Sequence, residues 1–297
     1  MEKFALEIRN LKKIFGKKIA LDGVDLKIKK GEFLALLGPN GAGKSTMINI
    51  IAGILEKSGG KVFVLGKNFD ADPQSAKMKM GIMPQEITLD AFFSVEEVLK
   101  IHAGLFGQKD DPAYRKFLLK KVDLWDHRDK NTRRLSGGMK RRLMIAKALV
   151  HRPKILILDE PTAGVDVELR QNLWNFVREL HASGMTILLT THYLEEAETL
   201  AERIAILNFG KILEIDTPKN LLKNFGNRRV EIFLKKSAKI SPPPFLEKTD
   251  ENILAGDFSE KKLPTFLKWA AENADKIADI KIREARLEEV FLKFTKK

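Results

Sequence analysis

The residues Gly38-Pro39-Asn40-Gly41-Ala42-Gly43-Lys44-Ser45-Thr46 set glycines, a lysine and two hydroxyls at a spacing that suits an anion. Gly38 and Gly43 bracket four residues ahead of Lys44 and Ser45, the phosphate-loop spacing. Glycines there let main-chain N–H groups point inward without Cβ clashes. A helix starting at this point turns its positive dipole end toward the same anion. Lys44 would then reach the β- and γ-phosphates of a nucleotide, and the Ser45 hydroxyl would ligate Mg²⁺. The competing reading is a flexible turn with a solvated lysine. It is disfavoured by the apolar run Phe33-Leu34-Ala35-Leu36-Leu37 in front and the helix-forming Met47-Ile48-Asn49-Ile50-Ile51 behind.

Phosphoryl transfer needs further groups, and three stretches offer them. Asp159 closes the apolar run Ile155-Leu156-Ile157-Leu158, where a carboxylate would hold Mg²⁺ through a water. Glu160 projects in the opposite sense and is the candidate for polarising an attacking water, against the alternative of an ordinary ion pair. His192 ends the run Met185 to Thr191, within reach of a γ-phosphate; a lone histidine there is more often structural, so its role depends on its companions. Ser136-Gly137-Gly138 precede the helical run Lys140 to Leu149 and open a second helix N-terminus able to hold an anion. Plain N-capping by Ser136 would not require two glycines in the first turn.

The elements that must position these residues follow from hydrophobic patterning. The runs ending at Asp159 and His192 read as buried parallel strands, with a helix from about Val167 to Ser183 between them and a further strand at Arg203 to Leu207. Strands alternating with helices predict a helix-flanked parallel sheet whose strand ends carry the site. From Ala5 to Ile28, alternating runs predict antiparallel strands separated by turns at Gly16 and Gly23, and Gly59 to Gly66 adds another strand. After Gln85 the pattern turns helical, opening on a capping box at Ser94 and Glu97. The expected organisation is a nucleotide-binding domain over 1–220, with a helical subdomain at about 86–150, and a small α+β accessory domain over 221–297. In the latter, strands at Arg229–Leu234 and Ile280–Arg283 and helices at Leu263–Asp275 and Leu287–Phe294 suggest a ferredoxin-like arrangement, with Ser241-Pro242-Pro243-Pro244 as a stiff turn or linker.

Composition narrows the chemistry. A chain of 297 residues, 44% hydrophobic, can build such a core. It has no cysteine, which excludes disulfides, zinc–thiolate sites and iron–sulfur clusters. The N-terminal stretch lacks an apolar signal core and no apolar run is long enough to span a bilayer, so a cytoplasmic protein is expected. The formal charge of +13 leaves nucleic acid, an anionic membrane surface or an unspecialised solvated surface open. No helix-turn-helix, RNP or zinc-finger pattern accompanies it.

Taken together, GPNGAGKST at Gly38–Thr46, LSGGM at Leu135–Met139, ILILDEPTAGVD at Ile155–Asp166 and TTHYLEEAE at Thr190–Glu198 resemble the ATP-binding subunits of ABC transporters. The resemblance covers roughly the first three quarters of the chain. It implies a P-loop NTPase (RecA-like) parallel sheet with an antiparallel β-subdomain and a helical subdomain, plus the small C-terminal domain. It implies ATP bound by Phe15, as the adenine-stacking residue, and by Gly38 through Thr46. Mg²⁺ would be held by Ser45, Gln85 and Asp159, and hydrolysis carried by Glu160, His192, Lys44 and Gln85. Gln85 would also sense the membrane partner, and Asp166 would lie in the D-loop. Ser136, Gly137 and Gly138 of one subunit would close over the P-loop of a second ATP-binding subunit, so a dimer, in the simplest case a homodimer, is implied. The further partner is a polytopic membrane permease, with no nucleic acid expected and a location on the cytoplasmic face of the inner membrane.

Within the family, the Lys-Arg-Arg after LSGGM and the tail Leu287-Glu288-Glu289-Val290-Phe291-Leu292 resemble bacterial type-2 exporters, closest to the YadG-like group. Met139 stands where Gln is commoner, Phe15 where Tyr is, and Val165 where Leu is, and a stacking face is kept at Phe15. The rival reading is a soluble ABC-type ATPase acting on the ribosome or nucleic acid. Such relatives usually carry two cassettes or a long coiled coil, and this sequence has neither. A mechanical ATPase complex or an importer is a third reading, disfavoured by the exporter-like tail.

Overall fold

In the computed structural model, which describes residues 3–162, 164–235 and 240–295, the chain forms two compact units, Met1–Ile215 and Asp216–Lys297. The first is built on strands β1 (Phe4–Phe15), β2 (Lys18–Lys29), β3 (Phe33–Leu37), β4 (Gly59–Val64), β5 (Lys67–Asn68), β6 (Met80–Met83), β7 (Ile155–Asp159), β8 (Thr186–Thr190), β9 (Arg203–Asn208) and β10 (Lys211–Asp216). Its helices are α1 (Lys44–Ile51), α2 (Pro73–Met78), α3 (Val95–Leu105), α4 (Pro112–Lys121), α5 (Gly137–Leu149), α6 (Val167–Ala182) and α7 (Leu194–Leu200).

The central sheet has six strands in the order β10-β9-β3-β8-β7-β6. β3, β7 and β8 are buried along their whole length, the reason each reads as an unbroken apolar run rather than an alternation. β3 pairs in parallel with both β8 and β9, and β7 with both β6 and β8. Register then brings the strand ends level: Leu36 and Asp159 both lie opposite Thr190, and Met83 lies opposite Leu158. The loops after β3, β6, β7 and β8 therefore leave the same edge of the sheet, where ligands bind in such folds.

A second sheet, β2-β1-β4-β5, is antiparallel. The sequence pattern placed a turn at Gly23, but β2 runs through it. Pairing passes from Leu11↔Val24 to Lys12↔Asp22, so Gly23, at φ +75°, is the extra residue of a bulge. Between β6 and β7, helices α3, α4 and α5 make the helical part. Ser94 and Glu97 close a reciprocal capping box at the start of α3.

The second unit contains α8 (Pro218–Phe225), β11 (Arg228–Leu234), β12 (Glu247–Asp250), β13 (Ile253–Phe258), α9 (Leu263–Glu272), β14 (Ile277–Arg283) and α10 (Leu287–Thr295). Its antiparallel sheet, ordered β12-β13-β11-β14, packs Val230, Ile232, Leu254 and Phe258 with Phe266 of α9 into a separate core. That strand order suits the ferredoxin-like expectation, but the β11–β12 connection has no helix among the described residues. Ser241–Pro244 lies inside this connection rather than between the units, with Pro243 buried and the Ser241 carbonyl accepting the Trp269 indole N–H at 2.8 Å. The helix expected to reach Asp275 stops at Glu272, because the Asn273 side-chain amide turns back to the Trp269 carbonyl at 2.9 Å.

Candidate active site

The loop from Gly38 to Gly43 joins β3 to α1, and two of its glycines are dictated by contact. A Cβ on Gly38 would sit 2.4 Å from the Leu207 carbonyl oxygen. Gly43, at φ +112°, forms the N-cap of α1 with no side-chain cap, and its Cβ would meet the Ala20 carbonyl at 2.7 Å. The uncapped N–H groups of the first turn are thus left for a ligand. Lys44 is buried, and its ammonium donates to the Gly38 carbonyl at 2.6 Å and to the Pro39 carbonyl at 3.2 Å. Burial pulls its pKa down, and the charges of Glu160 and Asp159 oppose the shift.

This loop forms one wall of a cleft of about 350 Å³ that Phe15, Asn40, Gly41, Ser45, Thr46, Gln85 and Glu160 also line. Phe15 offers a half-exposed ring, with the Lys13 ammonium 4.8 Å from its centroid. Lys18 and Ala20, two wall residues with no motif around them, were not anticipated. Pro39 and Ala42 shape the loop without lining the cleft, the Ala42 N–H bonding the Pro39 carbonyl at 3.1 Å.

Across the cleft, Ser45 Oγ lies 3.5 Å from Gln85 Oε1, and Gln85 Nε2 lies 3.4 Å from Glu160 Oε2. The same carboxylate oxygen is 3.4 Å from Nδ1 of His192. Asp159 is buried beside them and hydrogen-bonded to Thr190 Oγ1. Burial raises its pKa, while the hydroxyls of Thr190 and Ser45 pull it back. Ser45 Oγ, Gln85 Oε1 and the Asp159 carboxylate are the hard oxygen donors Mg²⁺ prefers, and a divalent cation would offset the cost of burying that carboxylate. Among the described residues there is no cluster of three His, Cys, Asp or Glu placed to hold a metal ion.

Thr190 contributes more than its motif suggested. Its hydroxyl donates to Asp159 and accepts the Glu160 N–H at 3.1 Å, separating the directions of the two adjacent carboxylates. His192 is steadied from below. Thr191 and Thr162 both donate to the buried Glu196 at 2.7 Å, and the Tyr193 N–H bonds the Thr191 hydroxyl at 2.9 Å. Glu196 was legible only as one acid in a run, since nothing local distinguishes it from Glu195. Asp166 caps α6 by accepting the Leu169 N–H at 2.9 Å. Ser136, Gly137 and Gly138 start α5 and do not line the cleft.

A nucleotide-phosphate cleft with a paired carboxylate, glutamine and histidine on a RecA-like sheet defines a P-loop ATPase. The ABC transporter family pattern matches residues 21–163. The linearmycin resistance ATP-binding protein LnrL of Bacillus subtilis (strain 168) is 33% identical, the alignment covering 98% of each chain. The Nod factor export ATP-binding protein I of Cupriavidus pinatubonensis is 35% identical over 98% of this chain and 90% of that one. A bacterial ABC transporter cassette solved as a dimer superposes with a TM-score of 0.67 at 27% identity, covering 72% of this chain and 98% of that one. The chain belongs to the ABC transporter family, as an ATP-binding and ATP-hydrolysing subunit of the exporter kind. The relatives favour transport over the reading as a soluble ATPase acting on the ribosome or nucleic acid.

Proposed function

We propose that two copies of this chain close around ATP, that hydrolysis at Glu160 reopens them, and that this cycle drives a separate polytopic permease from the cytoplasmic face of the membrane. The observation that carries the proposal is the Glu160 carboxylate set 3.4 Å from both Gln85 and His192 beside the P-loop cleft. In this reading Glu160 polarises the attacking water, His192 contacts the γ-phosphate, Lys44 and the loop N–H groups hold the phosphates, and Phe15 stacks on the base. Mg²⁺, held by Ser45, Gln85 and Asp159, would neutralise charge on the β- and γ-phosphates. Ser136–Gly138 serve the cleft of the second copy. The dimeric state of the similar cassette supports this arrangement.

The permease seat is a groove of about 590 Å³ lined by Ala91, Phe92, Asn131, Arg133 and Arg134. Phe92 is 88% exposed there, an apolar anchor of the kind interfaces bury. No helix among the described residues is long and apolar enough to cross a membrane. The tail from Leu287 to Leu292 supports placement beside the YadG-like group of type-2 exporters. The second unit, 221–297 by sequence pattern, acts as an accessory domain that props or regulates closure.

The test is to extract the Glu160→Gln chain from its native membranes in mild detergent and identify what co-purifies with and without ATP. A polytopic membrane protein in stoichiometric amount, lost with Phe92→Glu, is expected. Ribosomal proteins or nucleic acid in its place would overturn the proposal.

A further inference from the structure

Glu160 occupies the left-handed region at φ +50°, an unusual place for a residue with a Cβ. Its main chain is pinned on both sides. The N–H is bonded to the carbonyl and the hydroxyl of Thr190, each at 3.1 Å. The carbonyl accepts a hydrogen bond from Nη1 of Arg141 at 2.8 Å. The first clamp comes from the neighbouring strand of the sheet and the second from α5, the helix that begins at the Ser136 cap.

The two arginines of α5 behave differently. Arg142 is buried and satisfies the Val122 and Asp123 carbonyls and the Asp123 carboxylate, each at 2.9 Å, so it ties α5 to the end of α4. Arg141 is half-buried, and among the described residues its hydrogen bond is the one to Glu160. It does not line the cleft. A guanidinium directed at a single main-chain carbonyl fixes a peptide plane, and that plane sets where the Glu160 side chain points.

We propose that Arg141 is a positioning residue for ATP hydrolysis, holding the Glu160 main chain so that its carboxylate faces Gln85 and His192. The proposal rests on Glu160 being the group that polarises water. The experiment measures kcat and KM for ATP with the full chain carrying Arg141→Met or Arg141→Lys, each in the wild-type and the Glu160→Gln background. Losing one hydrogen bond from a charged donor predicts a kcat about tenfold lower for Arg141→Met, with KM within about twofold. Arg141→Lys recovers part of the rate, and serves alone should Arg141→Met fail to fold. In the Glu160→Gln background the Arg141 variants lower the residual rate no further. An unchanged kcat in both Arg141 variants overturns the proposal, as does an equal loss in both backgrounds, which would assign Arg141 to the stability of α5. If Glu160→Gln itself turns over like wild type, the reading of Glu160 falls, and this proposal with it.

Discussion

Two helix N-termini in this chain carry glycines where an anion could sit, and they are built in opposite ways. At α1 the glycines are demanded by the protein itself. Gly38 and Gly43 bring the loop against the Leu207 and Ala20 carbonyls, and Lys44 is folded into the same packed turn. At α5 a Cβ on Gly137 or on Gly138 would meet nothing within 4 Å. Ser136 already caps that helix, accepting the Met139 N–H at 3.2 Å. Helix propensity alone would place alanine at both positions. Lys140, Arg141 and Arg142 follow within the first turns, where cations oppose the helix dipole and raise the positive potential. The first N-terminus is thus explained within one chain, whereas the second makes sense as a surface something else approaches.

Substitutions break this comparison most directly. Lys44→Ala removes the cation of the packed site. ATP binding is expected to weaken at least ~10-fold and turnover to fall ~10³-fold or more, as for lost electrostatic stabilisation of a phosphoryl group. Nucleotide titration and phosphate release measure the two, and wild-type affinity would count against the cradle. Gly138→Ala at the open site should cut turnover ~10²-fold while thermal stability holds or rises by up to ~1 kcal/mol. Gly43→Ala should lower stability by about 2 kcal/mol or more, since it adds a left-handed penalty and a carbonyl clash. Equal stability losses at Gly43 and Gly138 would show that the two N-termini do not differ as described.

Asp159 sharpens the contrast between packing and function at the first site. Its pKa is raised chiefly by burial, and a carboxyl whose folded pKa lies above its unfolded value costs stability as pH rises from the unfolded to the folded value, the full cost applying above the latter. Asp159→Asn should therefore leave the melting temperature at pH 8 unchanged or higher while Mg²⁺-dependent hydrolysis disappears. A large fall in melting temperature would mean that the ionised carboxylate holds the fold together.

The same contrast explains what was legible in the sequence. The strand ends at Asp159 and His192 and the loop at Gly38–Gly43 could be read because each follows an apolar run with one structural meaning. Thr190, Glu196 and Arg141 could not, because their roles arise from pairing across the parallel sheet and from the return of α5 onto β7, which no local pattern encodes. Gly23 misled for a related reason. A glycine at positive φ serves a turn or a bulge equally well, and only the register of β1 against β2 decides.

Titration separates the seats of the two helices at a smaller scale. α5 packs against α3 through His102, which faces Lys147 and His151 of the α5 segment, with Phe106 stacked on His151 at a centroid distance of 3.9 Å. Burial, reinforced by Lys147 and His151, pushes the His102 pKa from 6.5 down to about 4. The folded state refuses a proton that the unfolded state accepts, so stability is complete above pH 6.5 and declines as pH falls from 6.5 toward 4. At 1.36 kcal/mol per unit the ceiling on the loss is about 3.4 kcal/mol, and the loss is smaller because the ring is only partly buried. α1 is seated in an apolar cluster with Leu34, Leu36, Ile155 and Leu188, through its own Met47, Ile48, Ile50 and Ile51. Hydrogen exchange between pH 7 and 5 should therefore loosen α5 and α3 before α1, and His102→Leu should flatten the pH dependence of the denaturation midpoint. If α1 and α5 lose protection together, or the variant keeps the wild-type slope, the two helices share one seat and acid acts on the fold as a whole.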